Sequence, residues 1–199
     1  MRGVAVDQGP GLRYQPFYCE ENAWWLCVHP TLGPGARHVV FLVSRAGCCP
    51  LLHQRAAPPG RLIAWDYHVV VVDAQGRVWD QDSRLPLPSP GVAWLDATFA
   101  LAEQLPAIYA PRLRVIPAEA FRASFASDRR HMRDRRGQFQ HPPPPWPAIG
   151  EGMNLERYLD PAAPRPGQVF DLAAARRWLS GLASEFPVGA ASGRDAVPR

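Results

Sequence analysis

Four consecutive valines stand between a histidine and an aspartate in "HVVVVD" (68–73), and this run limits the folds open to the chain. β-Branched residues favour extended backbone, and a short apolar run bounded by turn residues is typical of a strand. The candidate turn Ala74-Gln75-Gly76 follows, and "RVWDQD" then returns. We therefore predict a β-hairpin whose first strand runs from Ile63 to Asp73 and whose second runs from Arg77 to Asp82.

His68 is a polar ring within this apolar strand, so it needs a hydrogen-bonding partner. Because side chains alternate between faces, a turn of odd length places Asp80 and Asp82 on the face of His68. With a three-residue turn His68 faces Asp82 and has Asp80 as its diagonal neighbour, whereas with a five-residue turn it faces Asp80. A two-residue turn would send both aspartates to the other face, and Gly76 suits a turn of odd length.

The rest of the chain mixes short helical and short extended patterns. Periodicity and capping residues predict helices over 19–28, 95–105 with cap Asp96, 118–126, and 171–182 with cap Asp171. Apolar runs predict a buried strand over 36–44, an edge-like strand over 48–54 and a short strand over 112–117. Consecutive prolines make "HPPPPWPAI" (141–149), the proline strap, extended. This order predicts an α+β fold with a mostly antiparallel sheet.

Length and composition favour a single domain. The chain has 199 residues, of which 47% are hydrophobic, and we predict one domain over 14–186 between a flexible N-terminus (1–13) and a disordered tail (187–199). No apolar run approaches the roughly 18 residues of a membrane span, and the N-terminus lacks the apolar segment of a secretory signal. We therefore expect a cytoplasmic protein, which in a eukaryote would also be compatible with the nucleus.

The cysteines and the charges carry less information. In an intracellular chain of this size, Cys19, Cys27, Cys48 and Cys49 are expected to be free thiols. The net charge is +4, and the densest basic cluster, "DRRHMRDRR" (128–136), is interrupted by acids. That cluster fits either an anionic partner or a solvated face, and we favour the solvated face.

Cys19 opens the first predicted helix, in "YCEENAWWLC". The N–H groups of a first helical turn are unpaired and carry part of a positive charge, which stabilises a thiolate and lowers the pKa of the thiol. A backbone N–H in the same turn can also hold an oxyanion. Glu20 and Glu21 oppose this effect if they point at the sulfur, and a nearby positive charge would then be needed to offset them.

Cys19, His68 and an aspartate of the hairpin form a set of nucleophile, base and orienting acid. The chain order Cys, His, Asp is that of papain-like and transglutaminase-like enzymes. Each residue also has a purely structural explanation: a small buried thiol, a hydrogen-bonded core histidine, and turn or surface acids. Their combination on compatible elements is harder to explain in that way.

Several motifs follow one another along most of the chain: "YCEENAWWLC", "WDYHVVVVD", "VWDQDSRLPLP", "FRASFASDRRHM", and "PPPPWPAI" followed by "MNLERYL". From about Tyr14 to Leu182 the chain thereby resembles the protein N-terminal glutamine amidohydrolase family. The resemblance implies a papain/transglutaminase-like core with the nucleophile at the N-terminus of a helix. It also implies an enzyme that converts N-terminal glutamine to glutamate and releases ammonia.

The resemblance further implies that Cys19, His68 and Asp80 are the catalytic residues, that they act through a thioester, and that no metal or cofactor is needed. The expected partners are proteins or peptides with a free N-terminal glutamine, bound by a monomer, with no nucleic acid and no membrane. Such an enzyme must bind a free α-ammonium, which carboxylates or carbonyls can do. The candidate substrate-binding residues are Glu20, Glu21, Trp65, Asp66, Tyr67 and Asp128, with Trp146 as a further possible wall.

Three other functions stay open at this point. A transglutaminase or cysteine protease would use the same triad on another acyl substrate. A non-catalytic peptide-binding module would use the 128–136 face and the proline strap. A metal site built from cysteines and histidines has the least support, because no Cys-x₂-Cys pair is present.

Overall fold

Eight β-strands and five α-helices make up the regular structure of residues 11–163 and 166–185, the part of the chain that this computed structural model describes. The strands are β1 (His38–Val43), β2 (Cys49–Leu51), β3 (Ile63–Trp65), β4 (His68–Val72), β5 (Arg77–Trp79), β6 (Ser89–Pro90), β7 (Arg112–Pro117) and β8 (Gln168–Phe170). The helices are α1 (Cys19–Leu26), α2 (Gly91–Thr98), α3 (Ala118–Ser124), α4 (Glu156–Leu159) and α5 (Leu172–Glu185). Within these ranges, no helix has the length and apolar character needed to cross a membrane.

The two predicted termini fall largely outside the described residues. The tail predicted over 187–199 lies entirely outside them, as do residues 1–10 of the predicted flexible N-terminus. Of the remainder of that N-terminus, Leu12 packs against the apolar core. The guanidinium carbon of Arg13 lies 3.5 Å from the centre of the Trp25 ring.

Six strands form one antiparallel sheet in the order β6-β5-β4-β1-β7-β8, and β2 and β3 form a separate two-stranded sheet. β1 and β4 lie at the centre of the six-stranded sheet, where they pair from His38 opposite Val72 to Leu42 opposite His68. Both strands come from the apolar, β-branched runs of the sequence, and every residue of β4 is buried. The predicted α+β fold with a mostly antiparallel sheet is therefore confirmed.

Helices cover both faces of the large sheet, which explains why four successive valines are all buried. Val69 and Val71 belong to the core that includes residues of α1, α3 and α4. Val70 and Val72 belong to the core on the other face, with residues of α2 and α5. Burial of one such side chain is worth about 1.5–3 kcal/mol. This packing holds the helix that begins at Cys19 against β4.

Both strands of the hairpin are shorter than predicted, since β5 ends at Trp79 and the return strand was expected to reach Asp82. The expected strand Ile63–Asp73 is interrupted at Asp66 and Tyr67, so that β3 and β4 are separate elements. β3 leaves the large sheet because its partner is β2, which lies within the predicted edge-like strand 48–54. The interruption places Asp66 and Tyr67 directly before His68, outside any strand.

The helix predicted over 95–105 is wrong in position. α2 begins immediately after Pro90, whose fixed φ and missing N–H suit a helix start, and it ends before the middle of the predicted range. Asp96 is consequently not a cap, since it lies inside α2 and pairs with Arg176 of α5. The other predicted helices are confirmed with small shifts at their ends, and Asp171 caps α5 by accepting the Ala174 N–H at 2.8 Å.

Arg129 fixes α1 and the proline strap to each other. Its Nε and Nη2 bind the two carboxylate oxygens of Glu21 at 2.7 and 2.8 Å. It also donates to the backbone carbonyls of Pro144, Trp146 and Pro147 at 3.4, 2.8 and 3.1 Å. Prolines have no N–H with which to join a sheet, so hydrogen bonds from this buried guanidinium anchor the strap, together with the paired backbones of Ile149 and Ser127.

We expect Arg129→Ala to lower the free energy of unfolding by about 3–5 kcal/mol, because it leaves the fully buried Glu21 carboxylate without its ion pair. Urea unfolding followed by tryptophan fluorescence measures this loss. Arg130→Ala is the matched control: Arg130 pairs with Asp128 at the surface, and its removal should leave the free energy of unfolding close to that of the wild type. Equal losses in both variants would contradict the role given to Arg129.

Candidate active site

Cys19 is the first residue of α1, as predicted, but its ionisation differs from the prediction. Its Sγ lies 3.7 Å from Glu20 Oε2. Burial raises the pKa of the Cys19 thiol well above its ordinary value, and the charges of Glu20 and Asp82 add to this effect, while a hydrogen bond from the Val69 backbone opposes it. The expectation of a lowered pKa at the helix start is therefore wrong for this structure. The raised pKa favours the neutral thiol, which needs a base before it can act as a nucleophile.

His68 begins β4 and binds Asp80 directly. The Asp73 N–H donates to the Arg77 carbonyl at 3.1 Å, which closes the hairpin with a three-residue turn over 74–76. This is one of the two registers that the sequence left open, and it makes Asp80 the diagonal neighbour of His68. The Nε2 of His68 lies 2.8 Å from Asp80 Oδ1, and both side chains are buried.

The Asp80 carboxylate accepts four hydrogen bonds. Besides His68, the donors are Gln54 Nε2 at 3.1 Å, Trp94 Nε1 at 3.2 Å and the Asp82 N–H at 3.2 Å. Burial alone would raise the pKa of Asp80, but the charge of His68 and these bonds outweigh it and lower the pKa. Burial alone would lower the pKa of His68, but the charge and hydrogen bond of Asp80 outweigh it and raise the pKa. Asp80 thus makes His68 a stronger base.

One cavity of about 390 Å³ is lined by both Cys19 and His68. Three carboxylates also face it, those of Asp66, Asp82 and Glu156, and none of the described residues in its wall is an arginine. The other lining residues are mostly apolar or aromatic: Phe17, Ala64, Trp65, Tyr67, His131, Met132, Gln140, His141, Met153, Leu155 and Leu159. A cavity of this kind suits a small ligand with a positive charge and a slim side chain.

Four of the predicted substrate residues lie at or next to this cavity. Trp65, Asp66 and Tyr67 line it, in and just after β3. Glu20 is fully buried beside it, where it accepts the Tyr67 hydroxyl at 3.0 Å. Its other oxygen, Oε1, lies 3.3 Å from His131 Nε2.

Glu21 and Asp128 have other partners, and the structure does not bring them together with Cys19 and His68. Both oxygens of Glu21 are used by Arg129, and one of them also accepts the Trp146 indole N–H at 2.8 Å. Asp128 is at the surface, where it pairs with Arg130. Glu21 and Trp146 therefore position α1 and the proline strap, and neither lies in the cavity wall.

Sequence reasoning missed the role of His131. We assigned it to a basic, solvated cluster, yet it lines the cavity and lies beside Glu20. Arg129 and His131, two residues apart, thus each lie next to one of the two glutamates that follow Cys19. The signal was present, since acids next to a nucleophilic thiol require a nearby positive charge.

Gln54 and Trp94, which bind Asp80, were also missed. They come from the loop after β2 and from α2, and nothing in their local sequence indicates the contact. Only the packing of α2 against the sheet brings Trp94 within reach of the carboxylate.

A metal could be held only at the expense of existing hydrogen bonds. His68, Asp80 and Asp82 offer ligand atoms within 4.8 Å of one another. Each oxygen of Asp80, however, already accepts two hydrogen bonds, and Asp82 Oδ1 accepts the Tyr14 hydroxyl at 2.7 Å. The donor set therefore favours a hydrogen-bonded acid–base pair over a metal centre.

Comparison with known sequences points to one family. A sequence model described as N-terminal glutamine amidase matches residues 14–178. The protein N-terminal glutamine amidohydrolase of Arabidopsis thaliana is 36% identical over 173 residues, which cover 78% of this chain and 78% of that protein. The proteins of the same name from Bos taurus and Homo sapiens are 34% and 33% identical over 157 residues, covering 73% of this chain and 76% and 77% of those proteins.

We expect Asp80→Asn to lower the pKa of His68, because burial remains while the opposing charge is removed. NMR titration of labelled histidines measures this pKa. Asp82→Asn is the matched control, and it should shift the pKa of His68 less, because the 2.8 Å bond to Asp80 stays. A His68 titration that is unchanged in Asp80→Asn would contradict the pairing.

Asp80→Asn should also have a lower free energy of unfolding than the wild type, and the loss should depend on pH. Folding raises the pKa of His68, so protonation of His68 stabilises the folded state. This contribution is complete below about pH 6.5, the ordinary pKa of histidine, and it is lost as the pH rises through the raised pKa. Folding lowers the pKa of Asp80, so ionisation of Asp80 stabilises the folded state. This contribution is complete above about pH 4, the ordinary pKa of aspartate, and it is lost as the pH falls through the lowered pKa. The difference in unfolding free energy between wild type and Asp80→Asn should therefore be largest between about pH 4 and 6.5.

Proposed function

Because the chain belongs to the N-terminal glutamine amidase family, we propose that it hydrolyses the side-chain amide of an N-terminal glutamine in proteins or peptides. The products are N-terminal glutamate and ammonia. The observation that carries this proposal is a single cavity that contains a cysteine at a helix start, a histidine paired with a buried aspartate, and three carboxylates.

In the first step, Cys19 is the nucleophile and His68 the general base. His68 takes the proton of the Cys19 thiol while the sulfur attacks the carboxamide carbon of the substrate. The tetrahedral intermediate then breaks its carbon–nitrogen bond, and His68 returns the proton to the leaving ammonia. A thioester between Cys19 and the substrate side chain remains.

In the second step, His68 activates water. It takes a proton from a water molecule, which attacks the thioester carbon. The carbon–sulfur bond breaks, the sulfur recovers a proton, and the substrate leaves with a carboxylate in place of its amide. Asp80 holds the imidazole in one orientation throughout and stabilises its protonated form.

The Cys19 N–H is the proposed donor to the oxyanion. It belongs to the first turn of α1, where the helix itself offers no acceptor. A donor at this point stabilises the charge that develops on the carboxamide oxygen, and removing one such donor typically slows an enzyme by about 10²–10³-fold.

The acidic wall of the cavity accounts for the choice of a terminal residue. Asp66, Asp82 and Glu156 line the same cavity as Cys19, and a free α-ammonium would be attracted there. Trp65 and Tyr67 line the cavity close to Cys19 and form the wall for the glutamine side chain. An acetylated N-terminus brings no positive charge, so it would leave the carboxylates unpaired.

The α-ammonium would also activate the thiol. Glu20 and Asp82 raise the pKa of Cys19, after the larger effect of burial. A positive charge bound beside these carboxylates offsets them and lowers the pKa of the thiol. Binding of the correct substrate thereby produces the reactive form of the nucleophile, which adds to the specificity that shape and charge provide.

We further propose the type of core, the domain bounds, the compartment and the oligomeric state of the protein. A helix that begins at the nucleophile and lies against the strand of the histidine supports a papain/transglutaminase-like core. The contacts that join α1, the sheet and the proline strap support one catalytic domain over 14–186. All four cysteines are free, which suits a reducing compartment such as the cytoplasm. We propose that the chain acts there as a monomer, without a cofactor.

We expect a peptide that begins with glutamine to gain about one dalton on incubation with the protein, as an amide becomes an acid. An N-acetylated peptide and a peptide with glutamine at its second position should not change. Mass spectrometry measures all three. Cys19→Ala should lower the rate by at least roughly 10⁴-fold, whereas Cys48→Ala, which removes a thiol outside the cavity wall, should retain activity. Conversion of all three peptides would indicate a general glutaminase or a transglutaminase-like enzyme.

We also expect small ammonium compounds to speed the alkylation of Cys19. Glycinamide carries the positive charge of an N-terminus, so it should lower the pKa of the thiol and raise the rate of its reaction with iodoacetamide about tenfold, because the thiolate is the reactive form. N-Acetylglycinamide is the neutral control and should have no effect. Protection of Cys19 by glycinamide, or equal effects of both compounds, would contradict activation by charge.

A further inference from the structure

A second groove lies next to the candidate active site and shares part of its wall. Its volume is about 670 Å³, and it is lined by residues that follow β1, by the start of β7, and by α4. Glu156 and Leu159 of α4 line both this groove and the cavity that contains Cys19. These two side chains form the ridge at which the depressions meet.

The strand register sets the distance between the two depressions. His68 of β4 pairs with Leu42 of β1, and the next residue of β1, Val43, pairs with Arg112 of β7, which lines the groove. Adjacent strands are about 4.8 Å apart, so His68 and Arg112 are separated by about 10 Å. An extended peptide advances about 3.3 Å per residue, and three residues therefore span this distance.

The charge changes sign along this path. Asp66 and Asp82 line the cavity alone, Arg45 and Arg112 line the groove alone, and Glu156 lies between them in both walls. Among the ion pairs formed by the described part of the chain, none involves either guanidinium. Asp160 also lines the groove, but its Oδ1 accepts the Ala162 N–H at 2.8 Å within its own loop.

We propose that this groove binds the third and fourth residues of the substrate peptide, and that Arg45 and Arg112 favour acidic side chains at those positions. The inference rests on the proposed function, because the N-terminal glutamine must occupy the cavity for its chain to cross the Glu156–Leu159 ridge. The order of charges, acidic and then basic, complements a peptide that begins with an ammonium and continues with carboxylates.

The test uses three peptides, Gln-Ala-Xaa-Xaa-Gly-Trp, in which Xaa is aspartate, alanine or arginine. Ammonia release gives kcat/KM for each. Exposed ion pairs are individually weak, so we expect the aspartate peptide to exceed the arginine peptide by about 5–10-fold at low ionic strength. The difference should shrink in about 0.5 M salt, because salt screens exposed charges.

Charge reversal then assigns the effect to the groove. In Arg45→Glu/Arg112→Glu the arginine peptide should become the better substrate. Arg61→Glu/Arg177→Glu is the matched control: it makes the same charge change at two exposed positions outside the groove wall, and should keep the wild-type preference. Comparing the ratio of two peptides within each variant removes any general loss of activity.

The outcomes separate this inference from the proposed function. Equal kcat/KM for all three peptides would overturn the groove inference while leaving the deamidation in place. An acidic preference that survives charge reversal would also overturn it. If no peptide released ammonia, the proposed function would fall and the groove inference with it.

Discussion

The buried carboxylate of Asp80 connects the fold of this protein to its chemistry. Its partners come from β4, from α2, from the loop after β2 and from the backbone two residues further on. An ionised carboxylate in an apolar interior is costly unless every oxygen is satisfied. Because four donors from separate elements meet this requirement, the register of the hairpin, the position of α2 and the orientation of His68 depend on one another.

Opposing electrostatic effects meet at Cys19. Glu20 places negative charge beside the sulfur, which is unfavourable for a thiolate. His131 lies beside Glu20, and Arg129 binds the next acid, Glu21. The segment that supplies Arg129 and His131 therefore belongs to the surroundings of Cys19, although its sequence resembles an ordinary solvated surface.

Much of this arrangement could be predicted from the sequence, because it depends on local rules. The alternation of side chains along a strand places His68 and Asp80 on one face, and the glycine in the turn selects an odd-length loop. The helix start at Cys19 is equally local. The break at Asp66 and Tyr67 could not be predicted, since it arises because β3 pairs with β2 and not with the large sheet, a choice of partner that the local sequence does not indicate. The pKa of Cys19 also depends on burial and on acids brought close by folding.

The separation of β3 from the large sheet also bears on how such an enzyme can change during evolution. β3 pairs with β2 in a sheet of its own, and it ends at Trp65, in the wall of the cavity. His68 begins the next strand, whose position is fixed by β1. Substitutions in the small sheet can thus reshape the cavity wall without moving His68. Under the proposed function, substrate range and catalytic rate could then evolve separately.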